Sequence, residues 1–172
     1  MINIPSEGQY NMDNTDFAPH ANFVNFIKPG EYKKLLKDFP SDDLFKDEFP
    51  KDRKHGQRPH CRRFFCMGET LGSNYFDEYL LAPRKLPPVW QNFVMTIKKD
   101  WKYKTFIRKV FGVDNFKIRF DFHRTRGGLD VSPHVDSISK LGSHLFYFMP
   151  EGWTDDMGGK TIFYRVKKVD TM

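Results

Sequence analysis

A histidine and an aspartate lie two positions apart in the segment Ser132-Pro133-His134-Val135-Asp136. On a β-strand, residues i and i+2 point to the same face, with Cα atoms roughly 6.5–7 Å apart. A single metal ion, about 2 Å from an imidazole nitrogen and from a carboxylate oxygen, fits between two such side chains. The spacing predicts that His134 and Asp136 are metal ligands, although a surface pair or a hydrogen-bonded histidine has the same spacing.

The flanking sequence predicts strands on both sides of this pair. Alternating apolar and polar residues over 116–123 are typical of a strand, and the apolar run 145–149 predicts a short buried strand. Trp153 and the glycine pair 158–159 then precede a third predicted strand over 161–166. The order is therefore strand, His-x-Asp, apolar strand, W-x4-G-G and strand.

This order resembles the core of the 2-oxoglutarate- and Fe(II)-dependent dioxygenases, particularly their prolyl-hydroxylase-like branch, over about residues 116–166. The resemblance implies a double-stranded β-helix, or jelly roll, in which His134, Asp136 and a distal histidine hold Fe(II). It leaves open positions for 2-oxoglutarate and O2. It also implies oxidative decarboxylation of 2-oxoglutarate to succinate and CO2, coupled to hydroxylation of a substrate. His134 and Asp136 are thus the expected catalytic and metal-binding residues.

One further contact follows from the resemblance, and another from residues on the strand before the motif. Related enzymes often place a tyrosine on the strand after the motif to bind 2-oxoglutarate, and Tyr147 is the candidate for that cosubstrate contact. Alignment on Trp153 instead puts Phe148 there, and a phenyl ring cannot donate a hydrogen bond, so a packing role for Tyr147 stays open. The substrate is not identified by the sequence, but Arg119 and Arg124 could meet an anionic one.

The third ligand is not evident in the sequence. After Asp136 the one remaining histidine is His144. An eight-stranded jelly roll would need on the order of 50 residues beyond the motif, whereas residues 137–172 number 36. Three explanations stay open: the chain is a fragment that lacks the distal histidine, His144 is the third ligand, or the protein is a non-catalytic relative.

The net charge of +6 is concentrated in residues 51–63, which hold six cations against Asp52. Such a cluster could bind phosphate or nucleic acid, so a phosphate- or nucleic-acid-binding module is an alternative function. A metal-free jelly-roll interaction domain is another. His60, Cys61 and Cys66 lie in or beside the cluster, but their spacing matches no zinc pattern. The two cysteines are predicted to be reduced thiols.

The length suits one α+β domain over residues 17–172, after a mobile leader over 1–16. Helical support is expected over about 84–112 and jelly-roll strands over about 116–172. No apolar run is long enough to cross a membrane and no signal pattern begins the chain, so a cytoplasmic protein without a membrane partner is predicted.

Local patterns predict the remaining elements. They are a short strand over 17–27, a helix over 31–39, a loop over 41–59, a strand over 62–67, a helix that starts at Pro87-Pro88 with Trp90, Val94, Ile97 and Trp101 as a core stripe, and a helix over 104–111 that ends at Gly112.

Overall fold

The structure, a computed structural model, describes residues 1–6, 12, 19–48, 60–68, 74–124, 127, 131–134, 136 and 138–163. Its helices are α1 (Pro29–Lys37), α2 (Pro88–Lys99) and α3 (Trp101–Phe111). Its strands are β1 (Lys46–Glu48), β2 (Arg62–Met67) and β3 (Phe120–Arg124). Short 3-10 turns lie at Asp42–Leu44, Asn74–Tyr79, Pro83–Lys85 and Asp155–Met157.

The three strands form one antiparallel sheet in the order β1–β2–β3. Both faces of the central strand are covered. On one face Phe65 lies opposite Phe122 of β3, and their stacked rings are 4.6 Å apart. On the other face Phe64 and Cys66 form a smaller buried cluster with Tyr79. This double coverage explains why β2 has the continuous apolar run from which a strand over 62–67 was predicted.

β1 lies within the segment that the sequence predicts as a loop. Its residues Lys-Asp-Glu are all charged and give no apolar alternation. The strand forms because Glu48 lies opposite Arg62 in the register and makes an ion pair with it. Because this pairing is a tertiary contact, the local sequence does not predict it.

Helices α2 and α3 agree with the predicted helical support. Pro88 is the first residue of α2, where a missing N–H costs nothing. Gly112 ends α3 with a left-handed φ of 62°. α3 begins three residues before the predicted start, because the Asp100 side chain accepts a hydrogen bond from the Tyr103 backbone N–H at 2.9 Å and caps the helix.

The aromatic stripe on these helices is core only in part. Trp90, Val94 and Ile97 are buried, whereas Trp101 is 68% exposed, which corrects the prediction that all four are core. The helical periodicity is interrupted at Asp100, whose extended backbone (ψ 119°) turns Trp101 away from the stripe. Trp90 connects α2 with α1 and with the sheet. Its indole N–H donates to the Leu35 carbonyl of α1 at 2.9 Å, and its ring centroid lies 5.3 Å from that of Phe122 in β3.

The segment after the His-x-Asp pair is extended and lies on the helices. Phe146 packs against Phe93 and Phe148 against Trp90, with ring centroids 5.4 and 4.8 Å apart. The Tyr32 hydroxyl donates to the Met149 carbonyl and accepts from its N–H. The predicted strand over 145–149 therefore has one packed face, but it pairs with no strand within the described ranges.

The first residues of the chain contact the core. Ile2 forms an antiparallel bridge with Ile27, and the Asn3 N–H donates to the Phe26 carbonyl at 2.6 Å. Ile2 and Ile4 also pack against the core. Residues 1–4 of the predicted leader thus contact the core, while residues 7–11 and 13–16 lie outside the described part. The predicted strand over 17–27 is not formed in its described portion, 19–27.

The fold class is α+β, as the sequence predicts. In the part of the chain that the structure describes, the sheet has three strands, not the eight of a jelly roll. Residues 164–166 of the last predicted strand fall outside that part. None of the described helices combines the length and the apolar character that a membrane crossing requires.

Candidate metal centre

His134 and Asp136 come close together without the strand that their spacing predicts. Residues 131–134 and 136 follow β3 as irregular backbone. Even so, Nε2 of His134 lies 3.5 Å from Oδ1 of Asp136, and the two side chains are 34% and 45% exposed. The pair therefore shares one side of its loop and is open to solvent.

The backbone just before the pair fixes which nitrogen of His134 carries the proton. Nδ1 of His134 lies 2.8 Å from the Ser132 carbonyl oxygen, which can only accept a hydrogen bond. Nδ1 therefore carries the proton and donates, and the lone pair of the neutral ring is on Nε2. This is the arrangement that metal-binding histidines commonly adopt, with the non-coordinating N–H held by a carbonyl.

The Nε2 lone pair thus faces a carboxylate oxygen. Two acceptors at 3.5 Å repel each other unless a proton or a cation lies between them. Two ligand atoms that each lie about 2.1 Å from one metal, at a right angle, are about 3 Å apart. A shift of about half an ångström would bring His134 and Asp136 to that separation, so their donor atoms fit two adjacent positions on a divalent metal.

Lys140 supplies a positive charge at this centre. Its ammonium group lies 2.9 Å from the Asp136 carboxylate, four residues earlier. Both side chains are substantially exposed, so the ion pair contributes only about 0.2–1 kcal/mol. A metal that binds Asp136 would compete with this ammonium group for the carboxylate oxygens.

A second histidine, His60, touches His134. The two ring centroids are 4.8 Å apart, and His60 is 5% exposed. However, Nδ1 of His60 accepts a hydrogen bond from the Ser132 N–H at 3.1 Å, so the proton of the neutral ring is on Nε2. Neither nitrogen then offers a lone pair to a metal, and His60 is not the third ligand in this arrangement.

Ser132 and His60 could also suggest a nucleophile and its base, because the Ser132 hydroxyl lies 3.0 Å from Nδ1 of His60. Ser132 is, however, 1% exposed. A hydroxyl that no substrate can reach does not serve as a nucleophile, so the contact is structural.

His144 is not brought to the pair. Its ring lies among Phe23, Phe26, Tyr103 and Phe146, with centroid distances of 4.2–6.0 Å. Burial raises the pKa of Tyr103, so its hydroxyl stays protonated, and it is hydrogen-bonded to Nδ1 of His144 at 3.2 Å. Burial also lowers the pKa of His144 to about 4. The structure thus favours a structural histidine over a third metal ligand.

No group of three histidine, cysteine, aspartate or glutamate side chains that could hold a metal is found within the described ranges. Residues 51–59 and 164–172 lie outside those ranges. The described part therefore offers two protein donors, His134 Nε2 and the Asp136 carboxylate.

Tyr147, the candidate cosubstrate contact, lies on the outward face of the extended segment and is 46% exposed. Its hydroxyl is hydrogen-bonded to the Thr161 hydroxyl. Phe148, the neighbour to which the alignment points, stacks on Tyr32 at 5.3 Å and packs on Trp90. Of the two, only Tyr147 presents a polar atom to solvent.

Four arginines that could meet an anion are each paired with a carboxylate. Arg119 pairs with Asp121 at 2.8 Å, and Arg124 lies 3.3 Å from Asp42. Arg62 pairs with Glu48, while Arg63 contacts Asp42 and Asp47. The other four cations of the 51–63 cluster fall in the undescribed range 51–59. These four arginines therefore do not form a free anion-binding surface.

Comparison of the chain with models of protein families, with curated proteins and with solved structures found no match.

Sequence reasoning identified His134 and Asp136 but not the residues that hold them. Ser132 lies within the motif, yet no residue pattern shows that its carbonyl faces an imidazole. His60 is 72 residues away from Ser132 and no spacing connects the two. The position of Lys140, four residues after Asp136, was an available signal, because charges at that separation frequently pair.

Proposed function

We propose that the chain is a 2-oxoglutarate- and Fe(II)-dependent dioxygenase, with His134 and Asp136 as metal ligands. The observation that carries the proposal is the paired orientation of their donor atoms. Nδ1 of His134 is held by the Ser132 carbonyl, so the Nε2 lone pair faces the Asp136 carboxylate at 3.5 Å. An imidazole and a carboxylate are two of the three protein ligands of the facial arrangement in non-haem Fe(II) oxygenases.

The exposure of the pair and the chemistry of Tyr147 support the same proposal. The pair is open to solvent, so 2-oxoglutarate and O2 could reach adjacent metal positions. Tyr147 presents a hydroxyl that could contact the cosubstrate. When bound, Fe(II) would couple the oxidative decarboxylation of 2-oxoglutarate to hydroxylation of a substrate. The chain would hold the metal, orient the cosubstrate and place the substrate carbon.

The jelly-roll fold belongs to the same proposal. In a double-stranded β-helix, two sheets pack face to face. Phe146 and Phe148 pack inward on the helices, while Leu145 and Tyr147 point outward and are about half exposed. A second layer of strands over this outward face would cover both side chains.

Metal titration tests the proposal. Mn(II), a stable substitute for Fe(II), should bind the wild-type chain, and His134→Ala and Asp136→Ala should each abolish this binding. Binding is measured as the decrease of the EPR signal of the free ion. Because the described residues supply two protein donors, we expect binding weaker than micromolar. His144→Ala is the matched control and should leave binding unchanged, since His144 bonds to Tyr103 instead.

Addition of 2-oxoglutarate separates an oxygenase site from an ordinary metal site. A chelating keto acid that binds the same metal must tighten Mn(II) binding, and the metal must tighten keto acid binding by the same factor. Succinate lacks the keto oxygen and should have no such effect. Equal loss of micromolar binding in His134→Ala and His144→Ala would contradict the assignment of ligands. If the chain binds neither the metal nor the keto acid, the alternative function, a metal-free interaction domain, is favoured instead.

A further inference from the structure

His60 is a buried histidine that the proposed chemistry does not use. It lies two residues before the start of β2 and is 5% exposed. Buried polar side chains are normally retained only where their hydrogen bonds are satisfied. Its partner is Ser132, which is 1% exposed and stands two residues before His134.

Two hydrogen bonds to Ser132 connect His60 with the metal pair. The Ser132 N–H donates to Nδ1 of His60 at 3.1 Å, and the Ser132 hydroxyl lies 3.0 Å from the same nitrogen. On its other side, the Ser132 carbonyl accepts from Nδ1 of His134 at 2.8 Å. The backbone of Ser132 is thus held at its N–H by one histidine, while its carbonyl holds the other.

The two imidazoles also touch directly. Their planes are inclined by 65° with centroids 4.8 Å apart, an edge-to-face contact. The His60 ring therefore restricts rotation of the His134 ring, and it also holds the N–H of Ser132, the residue whose carbonyl accepts from His134. Both effects favour the orientation in which Nε2 of His134 faces Asp136.

We propose that His60 is a positioning residue for the metal site. Through the Ser132 backbone it keeps the proton of His134 on Nδ1 and the Nε2 lone pair directed at Asp136. The role rests on the proposed function in that His134 is a metal ligand, but the orientation of His134 can be measured without any metal.

Asparagine and glutamine provide a matched pair of substitutions at position 60. The Asn side-chain oxygen can occupy the place of Nδ1 and accept from the Ser132 N–H, whereas the longer Gln side chain places its polar atoms near the position of Nε2. Both are neutral amides, so they differ mainly in where the acceptor lies. His60→Ala removes the acceptor and the ring together and leaves a buried N–H unpaired.

The first measurement is the protonation pattern of His134, read from imidazole ¹⁵N shifts in long-range ¹H–¹⁵N NMR spectra of the metal-free protein at mildly alkaline pH. We expect the Nδ1–H form in wild type and His60→Asn, and a mixture of both neutral forms in His60→Gln and His60→Ala. A merely structural role would leave this pattern unchanged. The same pattern in all four proteins would overturn the proposal, and if His60→Ala does not fold, the Asn and Gln variants decide.

The second measurement is Mn(II) affinity. Loss of a residue that orients a metal ligand typically weakens binding about 10–100-fold. We expect that loss in His60→Gln and recovery to within about threefold of wild type in His60→Asn. Equal affinities in wild type and His60→Gln would refute the positioning role. If wild type binds no metal while the His134 pattern still changes in His60→Gln, the proposed function fails and the positioning of His134 by His60 stands.

Discussion

His144 should make the stability of the fold depend on pH. Its ring lies among aromatic side chains, and burial lowers its pKa from 6.5 to about 4. The neutral ring is hydrogen-bonded to Tyr103, whose raised pKa keeps its hydroxyl protonated across this range. Between about pH 6.5 and 4, the unfolded chain therefore binds a proton at His144 that the native state does not bind.

The sign and size of the effect follow from this difference. Where the unfolded state binds more protons, the free energy of unfolding rises with pH, so it must fall as the pH is lowered through 6.5 toward 4. With a pKa of 6.5 in the unfolded chain and about 4 in the native state, lowering the pH from 7.5 to 5 removes about 2 kcal/mol.

The assay is urea unfolding followed by circular dichroism at both pH values. Other groups titrate too, so wild type is compared with the double variant Tyr103→Phe/His144→Phe, which removes the titrating ring without leaving a buried hydroxyl unpaired. The stability of the double variant relative to wild type should increase by about 2 kcal/mol between pH 7.5 and pH 5. A difference that is the same at both pH values would refute a native pKa near 4 and the burial that causes it.

Three further outcomes are expected. Lys140→Met should tighten Mn(II) binding about two- to fivefold in the same EPR titration, because it removes an exposed ion pair that competes for the metal-binding carboxylate. Trp90→Ala should lower the free energy of unfolding by about 3–5 kcal/mol, whereas the exposed Trp101→Ala should change it by less than about 0.5 kcal/mol. Iodoacetamide should label native Cys61 but not Cys66, which is buried and whose pKa burial raises to about 11, and unfolding in urea should make both react.

The bounds of elements that depend on local sequence patterns were predicted correctly. The start of α2 at Pro88 and the end of α3 at Gly112 follow from backbone preferences of single residues, which act in any context. The apolar run of β2 identified a strand with the correct bounds because it is buried on both faces. β1 was missed since its three charged residues form a strand only by pairing with Arg62 and its neighbours.

The exposed Trp101 and the docked N-terminus show the limits of the same patterns. Periodicity predicted that Trp101 belongs to the stripe of Trp90, but the Asp100 cap starts a new helix and changes the direction of the side chain. The polar composition of residues 1–16 predicted a leader, but the apolar side chain of Ile2 is enough to add the first residues to the core beside Ile27. Both outcomes depend on neighbours that are distant in the sequence or on one capping bond.

For the candidate site, the sequence by itself determined which residue types could bind a metal and that His134 and Asp136 are near each other. Two residues apart, they share a face where the backbone is extended, whereas on a helix they would not. The tertiary structure alone decided which nitrogen of His134 is available, because that depends on the direction of the Ser132 carbonyl. His60, from 72 residues away, accepts a hydrogen bond from the Ser132 N–H and contacts the His134 ring. The tertiary structure likewise placed His144 against Tyr103. The direction of a hydrogen bond between distant segments leaves no periodic signal in the chain, since it arises only when the core brings those segments together.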